Sequence, residues 1–137
     1  TAVHCNLWAG LGAYRDIRRH VELPLFFQKS GDRAFTTGPY SIDYSVICQL
    51  AHLSGCDFSH VGMYGGYLAE TVGDIRCRMA ALQTTIPSFS CGMTPELAAR
   101  CQSLFGNDIM VTSGGWIHGG PESVTDRVKQ LRAAVSA

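Results

Sequence analysis

The sequence predicts an α/β fold built on parallel strands, and three observations carry that prediction. Short apolar runs alternate with helix-periodic stretches in strand-then-helix order, five times along the 137 residues. The links are short, as right-handed crossovers between parallel strands require. Two late strand ends, Ser88-Phe89-Ser90-Cys91-Gly92 and Val111-Thr112-Ser113-Gly114-Gly115, place glycine just ahead of a helix start. An eight-unit (β/α) barrel takes about 250 residues, so five units correspond to roughly its last five-eighths, the C-terminal portion of a TIM barrel. A doubly wound open sheet of five strands shares the alternation and is the competing architecture.

The elements follow in order. A strand at His4-Cys5-Asn6-Leu7 leads to a helix near Ala13–Val21. The second strand, Leu25–Gln28, is entered through Pro24, and its helix begins near Ser41. There Ile42, Val46, Leu50 and Leu53 recur at helical spacing and predict one buried stripe, stopped by Gly55. The third strand centres on Phe58–Val61, with a glycine-bearing loop from Gly62 to Gly66 and a helix near Gly73–Leu82. Ile86–Ser90 is the fourth strand. Thr94-Pro95-Glu96 supplies an N-cap, a proline at the first helical position and an acid in the first turn. Leu97, Cys101, Leu104 and Phe105 make that helix's inner face. The fifth strand is Asp108–Thr112, and a final helix after Pro121 buries Val124, Val128, Leu131 and Val135.

Composition narrows the function. Eleven basic and eleven acidic side chains cancel, so no charge excess recruits nucleic acid or an anionic membrane. No apolar run approaches the roughly 18 residues of a membrane span. No signal peptide pattern is visible, although a first residue of Thr1 leaves the natural start open. The six cysteines show neither C-x-x-C nor cysteine–histidine zinc spacing, and several lie in apolar runs. Reduced thiols and a cytoplasmic location are therefore expected. The whole of residues 1–137 reads as one partial barrel.

The two glycine-bearing strand ends give the leading ligand class. Glycine admits a ligand close to the backbone, and exposed N–H groups backed by a helix N-terminus suit an anion. The last two strand-end loops of an α/β barrel are the usual phosphate site. A phosphorylated small molecule is the ligand this pattern predicts.

The residues also resemble a known family. Leu53-Ser54-Gly55-Cys56-Asp57-Phe58-Ser59-His60-Val61-Gly62, then Gly65-Gly66, resembles the sixth strand and loop of the RuBisCO large-subunit superfamily. Ile86-Pro87-Ser88-Phe89-Ser90-Cys91-Gly92-Met93 is similar to its seventh strand. Asp108 through Gly115, with Gly119 and Pro121 beyond, is similar to its eighth. The similarity spans essentially the whole chain, more weakly before Ser41. It implies that the backbone amides of Gly92, Gly114 and Gly115 hold one phosphate, and that His60 and Ser90 contact the opposite end of a sugar-phosphate ligand.

Departures from the family are equally informative. The second strand ends in Gln28-Lys29 where the family has histidine-arginine. Lys29 would keep a substrate-binding charge but lose the bidentate fork, and Gln28 cannot do acid–base work. A shifted alignment would place Asp32-Arg33 there instead; the first keeps Ala34-Phe35-Thr36 in register. Tyr67 stands where carboxylases carry the mobile-loop lysine that polarises CO2, so the resemblance implies the RuBisCO-like branch rather than carbon fixation. That branch enolises, isomerises or decarboxylates phosphorylated sugar derivatives, generally with magnesium. The family's metal ligands, a carbamylated lysine and two acids, lie on an earlier strand that nothing here resembles. The resemblance thus implies a C-terminal part of a longer enzyme, with catalytic residues unassigned and the rest of the barrel or a second subunit as partner, in a homo-oligomer.

Plainer readings stand beside these. The glycines could serve ordinary turns, His60 could be a satisfied structural histidine, Ser90 could cap a turn and Lys29 could be solvated. His118 lies near the same mouth, whereas His4, His20 and His52 lack convergent partners. Asp57 precedes its strand and belongs to the stability end. Trp8, Tyr64 and Tyr67 suit a pocket wall or core filling equally. At the level of function, a non-catalytic half-barrel for phosphate binding or assembly competes with the enzyme, as does an unrelated enzyme on the same barrel.

Overall fold

The computed structural model describes residues 2–65 and 70–135. Strands β1 (Val3–Asn6), β2 (Leu25–Gln28), β3 (Phe58–Gly62), β4 (Ile86–Phe89) and β5 (Met110–Val111) form one sheet in the order β1-β2-β3-β4-β5. All four pairings are parallel. A doubly wound sheet reverses its winding partway and would break this consecutive order. The architecture is the wall of a barrel, with its helices on one face.

Between the strands run α1 (Leu11–His20), a short α2 (Arg33–Thr36), α3 (Tyr44–Leu53), α4 (Val72–Leu82), α5 (Pro95–Phe105), a short α6 (Gly114–His118) and α7 (Val124–Val135). Capping fixes several starts. Asp43 accepts the Ser45 N–H at 2.7 Å and opens α3. Thr71 and Asp74 make a reciprocal capping box at α4. Thr94 accepts the Leu97 N–H at 3.2 Å with Pro95 in the first turn, as the sequence predicts for α5.

Strand alternation sorts the side chains between two faces. Leu25, Phe27, Val61 and Phe89 point to the helices and are fully buried with Tyr14 of α1, Ile75 and Leu82 of α4, and Ala98 and Cys101 of α5. Tyr14 packs on Phe27 with ring centroids 5.3 Å apart, and Phe89 stacks on Phe105 at 5.1 Å. On the opposite face Phe26 meets His4, Phe58 and His60. At the N-terminal end of the strands the Asp57 carboxylate accepts the Leu25 N–H at 2.7 Å and pairs with Arg18, tying α1 to β2 and β3. All six cysteines are free thiols. Among the described residues no helix is long and apolar enough to cross a membrane.

Two sequence expectations are overturned. Ile42, Val46, Leu50 and Leu53 are not a buried stripe: they are 43%, 43%, 37% and 65% exposed. The helix starts at Tyr44, later than Ser41, and buries Tyr44, Ile47, Cys48 and Ala51 instead. Two apolar stripes with the same period run along α3. The Tyr44 hydroxyl, which donates to the His60 carbonyl at 2.8 Å, turns the second one inward. Likewise α7 leaves Val124 and Val128 well exposed and buries Arg127, while Leu131 and Val135 pack partly against the core. The strand spans shift by a residue or two, and α2 and α6 arise where loops were expected.

Candidate functional site

The C-terminal ends of β2 to β5 converge, and the predicted residues occupy them. At the end of β2 the Gln28 side chain accepts the Ser30 N–H at 2.8 Å, so its amide serves the turn. Lys29 follows. Its Nζ lies 3.2 Å from Glu70 Oε1 and 3.4 Å from Asp32 Oδ2, and 4.3 Å from the Tyr44 ring centroid. Arg78 of α4 donates to the same Glu70 oxygen at 2.5 Å and to the Val61 carbonyl at 2.9 Å. The other Glu70 oxygen accepts the Met63 N–H. Burial works against the ionised Glu70 carboxyl, but the Met63 N–H, Arg78 and Lys29 outweigh it and hold its pKa below the usual range. Gly62 makes this approach possible: with φ at +139°, an added Cβ would sit 2.1 Å from Glu70 Oε2.

His60, on β3, is 5% exposed. Its Nε2 meets Ser90 Oγ at 2.5 Å, while its Nδ1 is buried with no hydrogen-bond partner. Burial, then Lys29 and His4, push its pKa down to about 4, so the imidazole is neutral at pH 7. The fold thus brings His60 and Ser90 into direct contact across 30 residues of sequence. Ser90 Oγ also lies 3.2 Å from the exposed Cys91 thiol.

Past Ser90 the chain turns sharply, with Cys91 at φ +67° and Gly92 at φ +78°. The Ser113 hydroxyl reaches across and donates to the Met93 carbonyl at 2.6 Å, and the Thr112 N–H donates to the Phe89 carbonyl. These bonds latch the two glycine-bearing ends side by side. Gly114 and Gly115 then open α6, and an added Cβ at either would meet nothing within 4 Å.

Two clefts open near these ends. One of about 310 Å³ is bounded by Gln28, Lys29, Arg33, His60, Met63 and Cys91. The larger, about 560 Å³, shares Lys29, Asp32 and Arg33 with it and extends to Asp43, Glu70 and Arg78. Outside this region His4 is exposed, His20 Nδ1 faces the Asp16 carbonyl, and His52 Nδ1 faces Thr85 Oγ1 at 3.0 Å. His118 closes α6. Tyr67 lies outside the described residues. Among the described residues no group of three or more His, Cys, Asp or Glu side chains is placed to hold a metal ion.

Sequence reasoning singled out neither Glu70, Arg78 and Tyr44 nor the ion-pair cluster they form around Lys29. They come from three separate segments with no motif spacing, and only folding gathers them.

No protein-family model matches the chain. It is 31% identical over 136 residues to a 3-oxo-isoapionate-4-phosphate transcarboxylase/hydrolase from Xanthobacter autotrophicus, covering 91% of this chain and 33% of that protein. It is 28% identical over 138 residues to a 2,3-diketo-5-methylthiopentyl-1-phosphate enolase from Exiguobacterium sibiricum, covering 93% of this chain and 35% of the enzyme. Among solved structures, octameric ribulose-1,5-bisphosphate carboxylase/oxygenase from Pyrococcus horikoshii superposes with a TM-score of 0.80 at 26% identity, over 95% of this chain and 33% of that one. The chain therefore spans about a third of the length of these relatives.

Proposed function

Starting from a chain homologous to RuBisCO and RuBisCO-like proteins, and matching the C-terminal portion of their barrel, we propose that it supplies the phosphate-holding and substrate-orienting strand ends of a RuBisCO-like enzyme. The parent reaction is enolisation of a phosphorylated sugar or sugar acid, of isomerase, enolase or decarboxylase type. The observation that carries this reading is the latch between β4 and β5. It sets Gly92, two residues past Ser90 of the part-buried His60–Ser90 contact, beside the open N-terminus of α6.

In this reading the N–H groups of Gly114 and Gly115 donate to phosphate oxygens, aided by the helix terminus. Gly92 lets the neighbouring turn approach the same group. Neutral His60 and Ser90 meet the opposite end of the ligand through hydrogen bonds rather than charge. Tyr67 in place of a loop lysine supports an enolising rather than a CO2-fixing parent. The enzyme acts in the cytoplasm as a homo-oligomer; the Pyrococcus relative is octameric.

A non-catalytic half-barrel for assembly is the second reading, favoured by the exposed Val46, Leu50 and Leu53 on α3. Exchange of a substrate C–H proton into D2O separates the two. The intact natural polypeptide should catalyse exchange on a phosphorylated ketose, and phosphate binding without exchange would favour the half-barrel.

A further inference from the structure

Burial disposes of most of the free thiols. Cys48, Cys56 and Cys101 are buried, and desolvation pushes the first two up to about 12 and the third to about 11, so they stay protonated and out of reach. Cys5 is half-buried and packs against the core. Two thiols are exposed, Cys77 on α4 and Cys91 just past β4. Cys77 borders neither of the two clefts.

Cys91 is different. It borders the 310 Å³ cleft together with Lys29, His60 and Met63. With φ at +67° it holds a left-handed conformation that side chains rarely adopt, so the fold carries strain to keep a thiol at this point. Its Sγ lies 3.2 Å from Ser90 Oγ, which in turn meets His60 Nε2 at 2.5 Å. The thiol is the outer end of a three-member chain that finishes on a buried imidazole. His60 is 5% exposed, and its Nδ1 has no hydrogen-bond partner among the described residues. Unpaired buried polar atoms are costly, and this one belongs to the wall of the cleft that Cys91 borders, which marks that cleft as a place where a ligand sits.

Resting on the reading above that His60 and Ser90 meet the ligand, we propose that Cys91 is a covalent modification site for low-molecular-weight disulfides. Its mixed disulfide and the ligand exclude each other from the space beside His60. In the exchange the Cys91 sulfur, as thiolate, attacks one sulfur of the incoming disulfide. A new S–S bond forms as the old one breaks, and the departing thiolate takes up the proton that Cys91 gave up. The incoming disulfide is the oxidant, and a free thiol reverses the step. Loss of the thiol hydrogen also alters the contact with Ser90, which passes the change to His60.

The test uses the intact natural polypeptide carrying Cys77→Ser, with its histidine rings isotopically labelled, treated with glutathione disulfide and then with dithiothreitol. Mass mapping should find one glutathionyl group on Cys91, and the His60 ring resonances should shift; dithiothreitol should reverse both. Adding Cys91→Ser should abolish that uptake and leave the His60 resonances unmoved by the disulfide. The proposal is overturned if Cys91 stays unmodified while the denatured chain reacts fully, or if His60 ignores a fully modified Cys91. Exchange of a C–H proton of a phosphorykated ketose into D2O should be lost on modification and return with dithiothreitol, and exchange that persists in fully modified protein overturns the exclusion. Absence of exchange in the reduced protein is instead a failure of the enolising reading, and the His60 shift still decides the modification site.

Discussion

Replacing Gly115 by alanine should move stability and binding in opposite directions. Gly115 is in the first turn of α6, and an added Cβ meets no atom within 4 Å. The folded state therefore pays no steric cost, while the unfolded chain loses freedom, which stabilises the protein by about 0.4–1 kcal/mol. In a helix the Cα–Cβ bond tilts toward the N-terminus, so the methyl enters the space where the phosphate would approach. Losing one charge-assisted hydrogen bond costs about 1.5–3 kcal/mol, or roughly 10- to 150-fold in dissociation constant. Thermal unfolding and titration of a sugar phosphate measure the two effects on the same sample. Binding unchanged within about twofold in a normally folded variant would refute the phosphate role of α6. A lowered melting temperature would refute the open geometry itself.

The remaining predictions concern the core and pH. Ile47→Ala should cost roughly 2–4 kcal/mol, because Ile47 is 2% exposed. Leu53→Ala should change stability by no more than about 0.5 kcal/mol, since that side chain is 65% exposed. Chemical denaturation ranks the two, and the reverse order would restore the stripe predicted from sequence. His60 should titrate by NMR with a midpoint near 4. Because its folded pKa lies below the ordinary 6.5, the unfolded chain binds the proton first as pH falls. Stability should drop by roughly 3 kcal/mol between pH 6.5 and 4 on this account, and by that much less in His60→Asn. A midpoint near 6.5 would remove the buried, neutral imidazole from the site.

The alternation of strands and helices was legible because each short apolar run is bounded by proline, glycine or a capping residue. The α5 start illustrates it: Thr94, Pro95 and Glu96 act within one turn, so local chemistry suffices. The α3 face was not legible. Tyr44, Ile47, Cys48 and Ala51 share the helical period of Val46, Leu50 and Leu53, and nothing within the helix ranks one stripe above the other. The strand-end glycines were visible as turn chemistry, and His60 and Ser90 could be named by resemblance. Their direct contact, and the depressed imidazole pKa, depend on burial between strands.

The β/α order, the caps and the positions where glycine admits a close approach were readable along the chain, because these rest on interactions within a few residues. Only the folded chain settles which face of α3 is inside and which carboxylates hold Lys29. Lys29 and Glu70 are 41 residues apart, and their pairing depends on where β2, β3 and α4 meet. Charge and burial are properties of that meeting, so the neutralisation of Lys29 by Glu70 exists only in the folded chain.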